Sequence, residues 1–158
     1  MAMANSIGAE ERVATMGIRL PEAPTPFGAY VEAVRTGRLL FLSGMLATSG
    51  HAVAVAGVVG KDIVAESGRE GARIAALNAL ALIRKELGSL DRVSKVVRQG
   101  VYIAATAEFT EHVKVADGAS ELLRDVFGAD KMSVRSVIGV ASLPLGMPVE
   151  VEVTMEVF

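Results

Sequence analysis

From residue 149 to residue 157 the chain alternates, with Val149, Val151, Val153, Met155 and Val157 separated by Glu150, Glu152, Thr154 and Glu156. Neighbouring side chains on a strand point to opposite faces, so this period of two predicts a strand over 149–158 with one core face and one acidic face. A different period governs residues 66–87. There Ile74, Leu77, Leu80, Ala81, Ile83 and Leu87 share a wide apolar face, Arg73, Arg84 and Lys85 lie opposite, and Gly88 follows as a stop, which predicts a helix. Val115, Ala119, Leu122, Leu123, Val126 and Phe127 recur at helical spacing and end at Gly128, which predicts a second.

Between these elements the pattern is that of strands. Residues 93–105 form a β-branched run with a bulge expected at Gly100. Residues 29–34 and 38–43 read as a hairpin around Arg35-Thr36-Gly37, after a lead-in punctuated by Pro21, Pro24 and Pro26. Residues 45–59, with Gly50, Gly57 and the adjoining Gly60, read as a loop with room for one more short strand. The order β-β-loop-α-β-α-β-β implies an α+β fold, a sheet with both helices packed on one face. The other face is left wet or is covered by another subunit.

One strand carries a chemical anomaly. In the segment 133–141, Val134, Ser136, Ile138 and Val140 alternate with Arg135, Val137, Gly139 and Ala141, so both faces are largely apolar, as in a covered strand. Arg135 is a permanent cation there. If its face is covered, it needs an anion and good hydrogen bonds to offset its desolvation, and a planar fork of donors on a rigid strand suits a carboxylate. That carboxylate is either a ligand or one of the chain's own acids; snorkelling at a sheet edge is the third reading.

Composition narrows the function. The chain is 51% hydrophobic with a mean hydropathy of +0.44 but only 4% aromatic, more aliphatic surface than one 158-residue core is expected to bury. Self-association is the expected outcome. Without cysteine there is no thiolate nucleophile or Cys-based metal site, and His51 and His112 lack metal-ligand spacing, so no metal or cofactor is expected. The net charge of −2 and scattered Lys and Arg argue against nucleic acid. Residues 1–20 place Glu10, Glu11 and Arg12 before any apolar run, and the most apolar stretch, 74–83, is too short to span a bilayer. These features read as an N-terminal extension on a single domain over 21–158, with no membrane association and the cytoplasm as expected location.

Taken in order, Pro26-Phe27-Gly28-Ala29-Tyr30, Leu42-Ser43-Gly44, Arg135-Ser136, Leu143-Pro144 and Val149-Glu150-Val151-Glu152 resemble the Rid family, the YjgF-like proteins often labelled endoribonuclease L-PSP. The resemblance runs from about Pro21 to Phe158, while the extended N-terminus and Asp117-Gly118-Ala119-Ser120 mark a longer branch. It implies a chorismate-mutase-like fold of the bacillus type, assembled as a homotrimer around a central barrel with three clefts between subunits. It also implies a cofactor-free hydrolytic deaminase of reactive 2-imino and enamine acids, giving a 2-keto acid and ammonia.

Carried over on those motifs, the resemblance makes Arg135 the grip on the substrate carboxylate. Glu150 becomes the group that positions water or accepts its proton, and Tyr30 a hydroxyl lining the cleft. Gly44 becomes a backbone contact where a missing Cβ lets a ligand approach. Val137, Met45 and Asp117 complete the expected substrate-binding set. On the residues alone, Glu150 also reads as part of a solvated acidic face, Tyr30 as a packing residue, Gly44 as a strand end and Asp117 as a helix-surface acid. Two positions depart from the family pattern: Val137 stands where well-known deaminases carry cysteine, and Met45 where Ser-Gly-Gln is common. The cysteine is not a required nucleophile in a hydrolysis driven by water, and losing an amide at Met45 makes the cleft wall more apolar, which is what a shifted substrate preference would look like. The competing reading is a trimer that binds a small carboxylate metabolite without turnover; a ribonuclease fits least, with two isolated histidines and no basic groove.

Overall fold

The computed structural model describes residues 7–158. Its helices are Ala9–Thr15 (α1), Ala65–Leu87 (α2) and His112–Phe127 (α3). Its strands are Ala33–Thr36 (β1), Leu39–Leu42 (β2), Met45–Leu46 (β3), Thr48–Ser49 (β4), Ala52–Val53 (β5), Val93–Ala104 (β6), Val134–Val140 (β7) and Val149–Val157 (β8). The main sheet runs β1-β2-β8-β6-β7, with β3 also on β8, while β4 and β5 form a separate small hairpin. Every pairing in the main sheet is antiparallel except β6 with β7. A parallel neighbour needs a crossover, and α3 supplies it.

The alternation in the last run becomes β8 as expected. Val149, Val151, Val153, Met155 and Val157 are buried, each gaining roughly 1.5–3 kcal/mol from leaving water. Glu150, Glu152, Thr154 and Glu156 remain partly exposed on the far face. Register then assigns whole rows. Val34, Phe41, Thr154, Arg98 and Val134 share the open face, as do Glu150, Tyr102 and Ile138, whereas Val153, Gln99 and Arg135 face the helices.

Several expectations need correction. Three helices are present among the described residues, not two. Helix α1 lies within the expected N-terminal extension, of which residues 1–6 fall outside the described residues; at seven residues it is too short to show a periodicity. It is pinned by Glu10, whose carboxylate accepts from Arg84 Nε at 3.1 Å and Nη2 at 2.5 Å and from the Leu90 N–H at 2.8 Å.

The buried face of α2 includes the expected Leu80, Ala81, Ile83 and Leu87, but it also takes in Gly68, Gly71, Ala72, Ala75, Ala76 and Ala79 and leaves Ile74 and Leu77 only half-buried. Small residues there let α2 approach its neighbours closely: a Cβ on Gly118 of α3 would run into the Arg69 carbonyl. Gly100 makes no bulge; the irregularities of β6 fall between Val93 and Lys95 and between Val96 and Arg98. Gly100 instead leaves room for Glu152, whose Cγ would lie 2.9 Å from a Cβ there.

Within one chain the Arg135 strand is covered on the helix face alone. As β7 it is an edge strand, with Val134 71% exposed and Ile138 exposed beside it. The first strand begins at Ala33 rather than 29, and the hairpin turns through Gly37 at φ +55°, where a side chain would be strained. The 45–59 loop holds three two-residue strands where one was expected. Among the described residues no helix is long and apolar enough to cross a membrane.

Candidate functional site

Arg135 projects from β7 toward α3, where its Nη1 donates to Asp117 Oδ1 at 2.7 Å and to Ser120 Oγ at 2.9 Å. One of the chain's own acids therefore meets the guanidinium. A guanidinium only donates, so Ser120 Oγ accepts from it and sends its own proton onward to Gln99 Oε1, at 2.5 Å. Gln99 is the cross-strand neighbour of Arg135 and is 1% exposed. With the amide oriented this way, Gln99 Nε2 is buried without a partner, at a cost of about 1–3 kcal/mol.

The Arg135 and Asp117 side chains remain 22% and 36% exposed, so the pair is not sealed off. With Ser120, Glu121, Arg124, Met132 and Ser133 they line a cleft of about 290 Å³ between α3 and the start of β7. Val137 lies on the same face of β7, packed against the core. Further along, Gly139 makes room for His112, whose Nε2 would be 2.6 Å from a Cβ at that position.

Glu150 belongs to a second cluster. It pairs across the sheet with Tyr102 on one side and Leu46 on the other, and its carboxylate occupies the space beside Gly44. A Cβ on Gly44 would stand 2.6 Å from Glu150 Cδ. Burial, and then the nearby Glu152 charge, push the Glu150 carboxyl above the usual carboxylate range. Glu152 in turn accepts from the Tyr102 hydroxyl at 3.1 Å and faces Arg98 at 3.4 Å. Desolvation, followed by that hydrogen bond to Glu152, raises the Tyr102 hydroxyl.

Tyr30 is exposed, and its hydroxyl accepts from the Phe27 N–H at 3.1 Å and so closes its own turn. Phe27 and Glu32 border a crevice of about 10 Å³ with Gly44, and Glu32 accepts from the Ser43 hydroxyl at 2.5 Å. Met45 contributes only the back of that crevice. Its side chain is buried in the core, because β3 registers it with Val151 on the helix-covered face.

One chain thus brings Arg135, Asp117 and Val137 together, and separately Gly44 and Glu150, while Tyr30 contacts its own turn at Phe27. β6 stands between β7 and β8, a separation of roughly 10 Å across the sheet, and Arg135 and Glu150 point to opposite faces. Within a single copy they do not share a pocket.

Residues 10–156 match the family model described as "YjgF/chorismate_mutase-like, putative endoribonuclease". The chain belongs to the Rid/YjgF family. Among its Rid/YjgF relatives, Protein TCP17 of Trypanosoma cruzi is 37% identical, over 96% of this chain and 98% of that protein. A 2-iminobutanoate/2-iminopropanoate deaminase of Dermatophagoides farinae is 30% identical, over 85% of this chain and 91% of its own length. The solved structure of Atu1372 from Agrobacterium tumefaciens, of unknown function, superposes with a TM-score of 0.85 at 33% identity, covering 94% of this chain and 91% of that one.

Four polar residues had no site role in the sequence reading, although Ser120 and Glu152 stand in the segments quoted for the family. Gln99 and Ser120 connect to Arg135; Tyr102 and Glu152 flank Glu150. Ser120 had a signal, three residues after Asp117 and so on the same helix face. Tyr102 and Glu152 had one only if β6 and β8 were paired in register first. Gln99 had none, because a polar residue inside an apolar run reads equally as a solvent-facing position.

Proposed function

We propose that this protein is a cofactor-free hydrolytic deaminase of reactive 2-imino and enamine acids, acting as a homotrimer in the cytoplasm with its sites in clefts between subunits. The observation that carries this reading is the separation of the two clusters. Each copy offers a carboxylate grip at one sheet edge and a desolvated acid on its open face, so a complete site needs the Arg135 of one copy and the Glu150 of another. Val34, Phe41, Val134 and Ile138 leave apolar surface on the open face for that contact. The named deaminase among its relatives supports the chemistry.

In this reading the Nε–Nη2 edge of Arg135, which has no partner among the described residues, holds the substrate carboxylate. Water adds to C2 of the iminium acid, its displaced proton passes to Glu150, and the C=N pair moves to nitrogen to give a carbinolamine. That proton then goes to nitrogen, ammonia leaves with the C–N pair, and the hydroxyl gives up its proton to form the 2-keto acid. A raised Glu150 is the stronger base for the first transfer. The imine carbon is already electrophilic, so positioning and one proton relay suffice.

Ribonuclease activity is poorly supported. The cations near the cleft are paired, Arg69 with Glu121, Arg124 with Asp125 and Arg135 with Asp117, and offer no phosphate track. The absence of Glu150 from the Arg135 cleft within one chain favours a second reading, a trimer that holds a small carboxylate metabolite without turning it over. The test is hydrolysis of 2-imino acids generated in situ by an amino-acid oxidase, with the remaining imine trapped by semicarbazide. Acceleration by wild type that disappears in Arg135→Ala supports the deaminase; none across several side chains, with the oligomer intact, contradicts it.

A further inference from the structure

The cleft at Arg135 is lined by two acids and two bases, and most of that charge is committed elsewhere. Glu121 accepts from Arg69, and Arg124 uses both Nε and Nη2, each at 3.1 Å, on Asp125. Arg135 and Asp117 are different. Their contact uses Nη1 and Oδ1 alone, so among the described residues Nε and Nη2 of the arginine and Oδ2 of the aspartate have no partner. The relay through Ser120 to buried Gln99 holds this arrangement from behind.

An open guanidinium edge and an open carboxylate oxygen therefore belong to residues that line the same cleft. A plain carboxylate ligand would gain the first and be repelled by the second. A ligand with a cationic nitrogen next to its carboxylate gains both. In a 2-iminium or 2-amino acid the nitrogen and the nearer carboxylate oxygen are about 3 Å apart, so one small ligand presents both charges to the paired Arg135 and Asp117.

We infer that Asp117 is a specificity-determining residue that receives the substrate nitrogen, so that the cleft selects zwitterionic 2-iminium and 2-amino acids over the matching 2-keto acids. Asp117 makes and breaks no bond; it holds an N–H while Arg135 holds the carboxylate. A cleft of this kind also releases its product, because the keto acid has lost the cationic nitrogen and keeps the repulsion. The inference rests on the Arg135 cleft of the proposed deaminase, but its test is one of binding alone.

Calorimetric titration of full-length protein with 2-aminobutanoate, a stable stand-in for the iminium, and with 2-oxobutanoate reads the preference directly. Wild type should bind the amino acid at least about tenfold more tightly. Asp117→Asn keeps an acceptor for Nη1 but removes the charge. It should weaken the amino acid about tenfold and leave the keto acid unchanged or tighter, while Arg135→Ala weakens both. Equal binding of the two ligands by wild type, an unchanged ratio in Asp117→Asn, or no binding of either ligand would overturn the inference. Imine hydrolysis measured in parallel separates the two ideas: a clear amino-acid preference without hydrolysis contradicts the deaminase and leaves the Asp117 subsite standing.

Discussion

The Glu150 carboxylate fills the space that a side chain on Gly44 would need. The missing Cβ, expected from the family resemblance to admit a ligand, is used within one chain to seat an acid. The far end of a glutamate is flexible, so Gly44→Ala should push Glu150 aside rather than unfold the protein. Stability should fall by no more than about 1–3 kcal/mol, while imine hydrolysis falls at least about tenfold. A thermal melt and a rate measurement on the same preparation check both halves.

Glu150 also gives a pH signature. Its carboxyl is raised by burial and then by Glu152, so the native state binds a proton there more tightly than the unfolded chain does. Stability from this group is fully present at pH below the ordinary carboxylate range and is lost as pH climbs through the raised value. Glu150→Gln, neutral at every pH, should therefore be more stable than wild type at pH 7, with the difference vanishing near pH 4. Urea unfolding at the two pH values measures it; a Glu150→Gln protein less stable at pH 7 contradicts the burial argument.

Behind Arg135, the hydroxyl of Ser120 both accepts from the guanidinium and donates to Gln99. Ser120→Ala strands the Gln99 carbonyl as well as its already unpartnered Nε2, and should cost about 1–3 kcal/mol in chemical denaturation. Adding Gln99→Met removes the stranded groups together. The double variant should then recover part of the loss, a non-additivity that a pair of independent packing defects would not give.

At the helix crossing, Gly118 has no such give, since the Arg69 carbonyl it faces is backbone. Gly118→Ala should separate α2 from α3 and cost about 3 kcal/mol or more, despite the better helix propensity of alanine. Urea denaturation of the variant checks the magnitude, and a gain in stability would mean that the close approach is not required.

These comparisons show which parts of the molecule the sequence made legible. The strict alternation of 149–157 could be satisfied only by a half-buried strand, and the glycines after Leu87 and Phe127 marked helix ends that the backbone uses. The buried face of α2 was legible in part: Leu80, Ala81, Ile83 and Leu87 are buried as their hydrophobicity suggests, whereas close packing adds Gly68, Gly71 and further alanines and leaves Ile74 and Leu77 half-buried. α1 depends on the long-range contacts of Glu10 with Arg84 and Leu90, which no local pattern encodes. For the candidate site, Arg135 stood out as a cation in an apolar run. Its separation from Glu150 was not readable, because which face each residue occupies is set by the register across β7, β6 and β8.

That separation makes subunit mixing the most direct test. Arg135→Ala and Glu150→Gln should each abolish imine hydrolysis alone. When the two are unfolded together and refolded as mixed trimers, about a quarter of the clefts should join an intact Arg135 from one chain to an intact Glu150 from another. Recovery of roughly that fraction of wild-type activity is the expected result. Mixed trimers that form and remain inactive would contradict a site shared between chains.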